Sequence, residues 1–274
     1  MPSGYAHYRF GAQLLPDLPP EVRRIIRRHR NLYDVGLHGP DLFLYYDPAR
    51  ENRVAPLSDH YHYMSGQVLF SRVCKRLRLA PSEPALAYLY GLLAHYCLDA
   101  LCHPFVFRHT QSGPVGHLTL ETEFDRYLLD KDGKRPAHAQ DCSRHIRLNK
   151  AQCATAAEFY PQLTGADISR CTRNMSWATW LLAWSKPLYR KAVDAVLRAA
   201  PKYAQLVMSE EPNPLCAHLD ADMEKLYEEA LSLYPKLLAQ ISENLQHGIP
   251  LGKDFAPAFD IKEQKESAAH EEQT

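Results

Sequence analysis

At 274 residues and 46% hydrophobic content, the chain can bury a sizeable core as one large domain or two small ones. Lys+Arg and Asp+Glu both number 32, so a zero formal net charge argues against a strongly basic nucleic-acid binder and gives no sign of an anionic membrane partner. Seven cysteines without a Cys-x-x-Cys pair do not suggest a secreted disulfide framework, and no uncharged apolar run reaches the ~18 residues of a membrane span.

Residues 1–18 lack the basic-then-apolar pattern of a secretory leader, which predicts a soluble, cytoplasmic protein. They carry His7 in a polar-aromatic stretch. The run LPPEVRRIIRRHRNLY predicts a helix opened by Pro19 and Pro20, with Val22, Ile25 and Ile26 apolar against arginines. Such a helix can lie on an anionic lipid surface or present a solvated face over a packed stripe; the second arrangement is the commoner. In GLHGPDLFLYYDP, Gly36, Gly39 and Pro40 predict a tight turn that delivers Asp41 ahead of an aromatic run. Asp41 is then a helix cap or a ligand. HYHYMSGQVLFSRVCKRL predicts a helix that begins with His60 and His62, which cannot share a face two residues apart, so one of them points inward.

The centre of the chain carries the strongest pattern. His95, Asp99 and His103 follow one another at steps of four, and His117 and Glu121 repeat that step after the connection RHTQSGPVG. Residues four apart share one face of a helix, so each set converges on one side of its own helix. The first helix, LAYLYGLLAHYCLDALCH, has few polar residues besides those three. A polar stripe on an otherwise apolar helix is buried with it, and buried charges need a counter-charge or a metal. Imidazole and carboxylate donors suit zinc where thiolates are absent, and the pattern reads as a multinuclear zinc site. Cys97 and Cys102 fall off the step and read as small core residues.

A polar loop follows at 130–142. Residues 165–200 predict a helix whose Trp177, Trp180 and Trp184 form a core stripe. Leu226, Ala230, Leu233, Leu237, Ile241 and Leu245 mark a late helix, kinked at Pro235 and ended by Gly248 and Pro250. Residues 261–274 lack apolar content and read as a disordered tail beyond one domain over 1–260. With no alternating strand pattern, nucleotide-binding glycine motif or Gly-x-Ser-x-Gly elbow, the expected fold is all-α.

The stretches AHYRFG, GPDLFLYYDP, HYHYM and the central His-x3-Asp-x3-His-x13-His-x3-Glu resemble the zinc-dependent phospholipase C family over roughly residues 1–130. Its superfamily also includes zinc-dependent single-strand nucleases. The step from Asp99 to His103 is shorter than in the secreted phospholipases. The resemblance implies a multi-helix bundle holding two or three zinc ions. Asp41, His62, His95 and Asp99 would hold the first; His103, His117 and Glu121 the second. Asp99 would bridge to a third, completed by His7 and the amino terminus. His62 is preferred to His60 because the family histidine is followed by an aromatic and an aliphatic residue, here Tyr63 and Met64. Secreted relatives bind the third ion through a processed N-terminal Trp, which is missing here; Pro2, exposed by removal of Met1, is the substitute.

The implied reaction is hydrolysis of a phosphodiester, most simply of a phospholipid, with Asp41 as ligand and proton acceptor and Tyr45 and Tyr46 as candidate pocket residues. Peripheral membrane contact is left open, and no specific nucleic acid or obligate protein partner is expected. A nuclease or other phosphodiesterase on the same metals is one alternative. A non-catalytic metal-binding scaffold is another, since cleaving bulk phospholipid would endanger the cell that made the enzyme.

Overall fold

The longest central element, α6 (Glu83–Thr110), is apolar on nearly every side, and that composition places it in the middle of the molecule. The computed structural model describes residues 4–111, 113–183 and 205–260. Ser82 caps α6 by accepting the Ala85 N–H, and Pro84 sits in its first turn, where no amide hydrogen is needed. The helix is long and apolar enough to cross a membrane, yet most of that stretch is buried inside this fold. Pro104 lies inside it without ending it.

Around α6 pack α1 (Gly4–Leu14), α2 (Pro20–Arg28), α3 (Arg30–Gly36), α5 (Gly66–Leu79), α7 (His117–Lys131) and α8 (Lys150–Ala157). The short α4 (Pro56–His62), α9 (Gly165–Leu182) and α10 (Asp220–His247) complete the helices of the described residues. Among those residues the only extended pairing is an isolated bridge between Ser65 and Ala258, so the fold is all-α.

The packing of α3 on α6 is the tightest crossing. A Cβ on Gly36 would lie 2.6 Å from the Tyr88 carbonyl oxygen, and one on Gly91 would collide with the Tyr33 carbonyl oxygen. Two facing glycines let the backbones touch, and Gly39 follows with φ +45°. A Cβ on Gly39 would fall 2.6 Å from the His95 ring, so this turn is pressed directly against the first metal-type histidine.

Several sequence expectations hold and several need correction. Val22, Ile25 and Ile26 are buried under α2, which is therefore a solvated face over a packed stripe. His60 and His62 do not begin a long helix. They end α4, and α5 starts anew at Gly66 with Ser65 as its cap, accepting from Gln67 N–H. The tryptophan stripe is not core at Trp177, which is 57% exposed, because the buried face of α9 is made by Ile168, Cys171, Thr172 and Met175. Trp184 and the rest of the helix expected to residue 200 lie outside the described residues. The late helix runs on past Pro235 as one element, packed along α5 and α6, and closes at Gly248 with φ +72°.

Candidate metal centre

Five elements bring the donors together: α6, α7 and α1, with Asp41 from the 3-10 stretch Gly39–Tyr45 and His62 from the end of α4. α6 places His95, Asp99 and His103 on one face, α7 places His117 and Glu121 on one face, and α1 lies across both. α1 is held there by Asp125, one turn beyond Glu121, whose carboxylate accepts the Tyr5 N–H at 2.9 Å and the Ala6 N–H at 2.6 Å. These are amides at the start of α1 that no helical carbonyl can satisfy, so a carboxylate suits them in both hydrogen bonding and dipole. His7 follows, 1% exposed, its ring 4.5 Å from that of His95.

Asp99 is the hub. Its Oδ1 lies 3.1 Å from His7 Nε2 and 3.9 Å from His103 Nε2. Its Oδ2 lies 3.0 Å from His95 Nε2 and 3.6 Å from His62 Nε2. Asp41 Oδ1 is 3.2 Å from His62 Nε2. On the other side, Glu121 Oε1 is 3.3 Å from His103 Nε2 and 2.9 Å from His117 Nε2. The donors form three close groups: His7 with His95 and Asp99, Asp41 with His62 and His95, and His103 with His117 and Glu121.

The sequence-predicted donors His7, Asp41, His62, His95, Asp99, His103, His117 and Glu121 all belong to one of these groups, while His60 is exposed. The capping alternative for Asp41 has no support, because neither carboxylate oxygen makes a hydrogen bond. Tyr45 and Tyr46 are not among the grouped donors. Tyr45 lines a cavity of about 100 Å³ with Tyr5, Thr122, Asp125 and Met175. Tyr46 lies under the Arg170 guanidinium, 4.4 Å from it.

A metal fits these residues on two counts. Donors about 2.1 Å from a tetrahedral zinc stand roughly 3.4 Å from one another, and the spacings above bracket that value. Both His7 nitrogens, both Asp41 oxygens, Asp99 Oδ2 and the Nε2 atoms of His62, His95 and His103 are buried without a hydrogen-bond partner. Native interiors leave few such atoms, and here they converge instead of scattering.

The outer nitrogens explain how the inner ones are aimed. Nδ1–H of His62 donates to the Ser58 carbonyl at 2.8 Å, that of His95 to the Leu37 carbonyl at 3.1 Å, and that of His103 to the Phe259 carbonyl at 2.7 Å. Each bond fixes the ring so that the Nε2 lone pair faces the donor groups.

Charge is held in the same way. Burial alone would raise the Asp99 carboxyl, but His95, His103 and His7 overcome it and keep the pKa well below the usual carboxylate range. Burial disfavours a cation at His103, yet Asp99, the Glu121 hydrogen bond and Asp260 lift it to about 10. Burial and the neighbouring His95 lower the pKa of His7. The Cys102 thiol is raised well above its ordinary value by burial and then by Asp99 and Glu121, so without a metal it is a neutral thiol and not a ready ligand.

Two features had no signal that sequence reasoning used. His38 and His145, 107 residues apart, meet Nε2 to Nε2 at 2.7 Å beneath Tyr8. The stretch 251–260 returns from the end of α10 to lie over His62, His95 and His103.

Compared with known proteins, the chain matches a family model described as zinc dependent phospholipase C over residues 6–181. The match reaches through α8 and α9, well past the stretch to about residue 130 that the motifs alone marked. No curated protein and no solved structure matches.

Proposed function

Because this chain belongs to the zinc-dependent phospholipase C family, a family of zinc-dependent hydrolases, we propose that it hydrolyses a phosphodiester bond, specifically that of a phospholipid. The observation that carries the reading is the convergence of four buried histidines on the single carboxylate of Asp99. In this reading Asp41, His62, His95 and Asp99 Oδ2 hold one zinc, and His103, His117 and Glu121 hold another. His95 Nε2 has one lone pair, so it serves one ion only. Asp99 Oδ1 and His7 would then be left for a third.

Zinc in such a site supplies hydroxide near neutral pH and polarises phosphoryl oxygens. The rest is done by the chain. Asp41 Oδ2, 1% exposed and without a hydrogen bond, accepts the proton of the attacking water. His62, His95 and His103 stay in one tautomer through their carbonyl partners and need no reorganisation as charge develops. His117 is 29% exposed while the donors around it are nearly sealed, so the phosphate approaches from its side. Phe259, packed against the His62 and His95 rings and backed by Tyr96, covers those rings with apolar surface.

The test has two stages. Elemental analysis of the purified protein is expected to give two or three zinc per chain, with zinc lost in His95→Ala and Glu121→Ala. Near-zero zinc after reconstitution sinks the reading. Hydrolysis is then compared on phosphatidylcholine, a chromogenic phosphodiester and single-stranded DNA. Cleavage of the lipid with release of diacylglycerol supports the phospholipase, cleavage of DNA alone turns it into a nuclease, and turnover of none of the three leaves a metal-binding scaffold.

A further inference from the structure

His62 and His95 find their orienting carbonyls on Ser58 and Leu37, within the stretch that matches the family, but His103 takes its carbonyl from Phe259, 156 residues away and far outside that stretch. The segment that carries it is tied down along its length. Leu251, Phe255 and Phe259 are buried, with Phe255 stacked on Tyr96 at 5.8 Å and Phe259 set edge-on to the same ring at 4.9 Å. Tyr96 O–H donates to the carbonyls of Asp254 and Pro257, the Gly66 N–H donates to Pro257, and the Asp260 N–H donates to the His62 carbonyl at 3.0 Å. Asp260 Oδ1 ends 3.7 Å from His103 Nδ1.

We propose that residues 251–260 are a clasp belonging to the metal centre: Phe259 and Asp260 position His103, and the zinc shared with His117 and Glu121 is held tightly only when the clasp is seated. The inference rests on the zinc reading above. Its physical basis is that a ligating imidazole needs its outer N–H satisfied. The acceptor is the backbone carbonyl of Phe259, so unseating the segment leaves the buried His103 Nδ1–H without it, and the ring is free to turn or exchange tautomer. The Asp260 carboxylate beside the same N–H makes the ring a better donor to a cation. Neither residue is among the grouped donors, so both are positioning residues.

The test uses the full chain with Phe259→Ala, Phe259→Leu and Asp260→Ala. Zinc affinity is read by competition with a chromophoric chelator, and the thermal midpoint of the metal-free protein is read beside it. Phe259→Ala and Asp260→Ala are expected to weaken one zinc about 10–100-fold, the range for outer partners of a ligand. The other zinc should change little; Phe259→Ala also opens a cavity and lowers the metal-free midpoint, Asp260→Ala leaves that midpoint nearly unchanged, and Phe259→Leu, which keeps the segment buried, should restore most of the affinity. Unchanged zinc affinity in both variants overturns the proposal, as does a loss that follows the midpoint and hits every zinc alike. If the wild-type chain binds no zinc, the metal reading fails first. The clasp is then judged in the metal-free protein by the His103 Nδ1 proton, a slowly exchanging NMR signal that should vanish in Phe259→Ala; its survival there overturns the clasp.

Discussion

Asp99 is where a single side chain has the widest reach. Its two oxygens face His7 and His103 on one side and His95 and His62 on the other, at 2% exposure. Asp99→Asn keeps the volume but removes the charge that these imidazoles share, and it replaces one carboxylate oxygen by an N–H that has no lone pair to offer an ion. Zinc per chain should fall by at least one ion, measured by elemental analysis, and retention of the wild-type content would remove Asp99 from the centre. His38 and His145 supply a second residue-level prediction. Burial, and for His145 next the Arg30 charge, pushes the His145 pKa down to about 3, and His38 is lowered by burial and His145. A folded pKa below the unfolded value near 6.5 means that this pair contributes stability above pH 6.5, lost as pH falls from there towards 3. The metal-free protein should therefore lose thermal midpoint over that window, and His38→Gln with His145→Gln should flatten the loss.

Between elements, the decisive contact is backbone on backbone. Gly36 and Gly91 let α3 touch α6, and the Gly39 turn that follows α3 carries Asp41 to the site. Gly91→Ala has good intrinsic helix propensity, so in isolation α6 would gain. In the fold the added methyl meets the Tyr33 carbonyl and must push α3 away, a cost of about 1–3 kcal/mol by analogy with overpacked cores. Chemical denaturation should show that loss, and zinc affinity should fall with it because Asp41 moves with α3. Stability equal to wild type would mean the crossing has slack. Leu92, fully buried on α6, is the ordinary comparison: Leu92→Ala costs about 2–5 kcal/mol through a cavity without displacing the Asp41 turn.

At the scale of the whole molecule, zinc and folding are linked. Donors come from residue 7 to residue 121, the orienting carbonyls reach residue 259, and in the unfolded chain no such site exists. An ion present at about a thousand times its dissociation constant adds roughly 4 kcal/mol per site. For a chain of this size that is on the order of 10 °C in thermal midpoint. Chelation should lower the midpoint by about that amount for each ion removed, and the drop should shrink in His95→Ala. A midpoint indifferent to chelator would mean the donors hold no ion that matters to the fold.

Five of the candidate donors were legible because their spacing follows helical geometry: steps of four at His95, Asp99 and His103 and again at His117 and Glu121 put them on two faces before any packing is known, whereas His7, Asp41 and His62 came from the family resemblance. The all-α class was legible for the same reason, from apolar positions recurring at three and four. What periodicity cannot express is which surface a helix turns inward once neighbours compete for it. Trp177 fitted a core stripe and stands in solvent, because Ile168, Cys171 and Met175 claimed the buried face of α9. Nor can local pattern reveal contacts between segments far apart in the chain. The pairing of His38 with His145, the cap that Asp125 gives to α1 and the return of Phe259 to His103 join residues 107, about 120 and 156 positions apart. The sequence by itself determined the candidate donors of α6 and α7 and their helices; only the tertiary structure decided what holds each donor in place, since a hydrogen bond across the fold exists only after the chain has closed on itself.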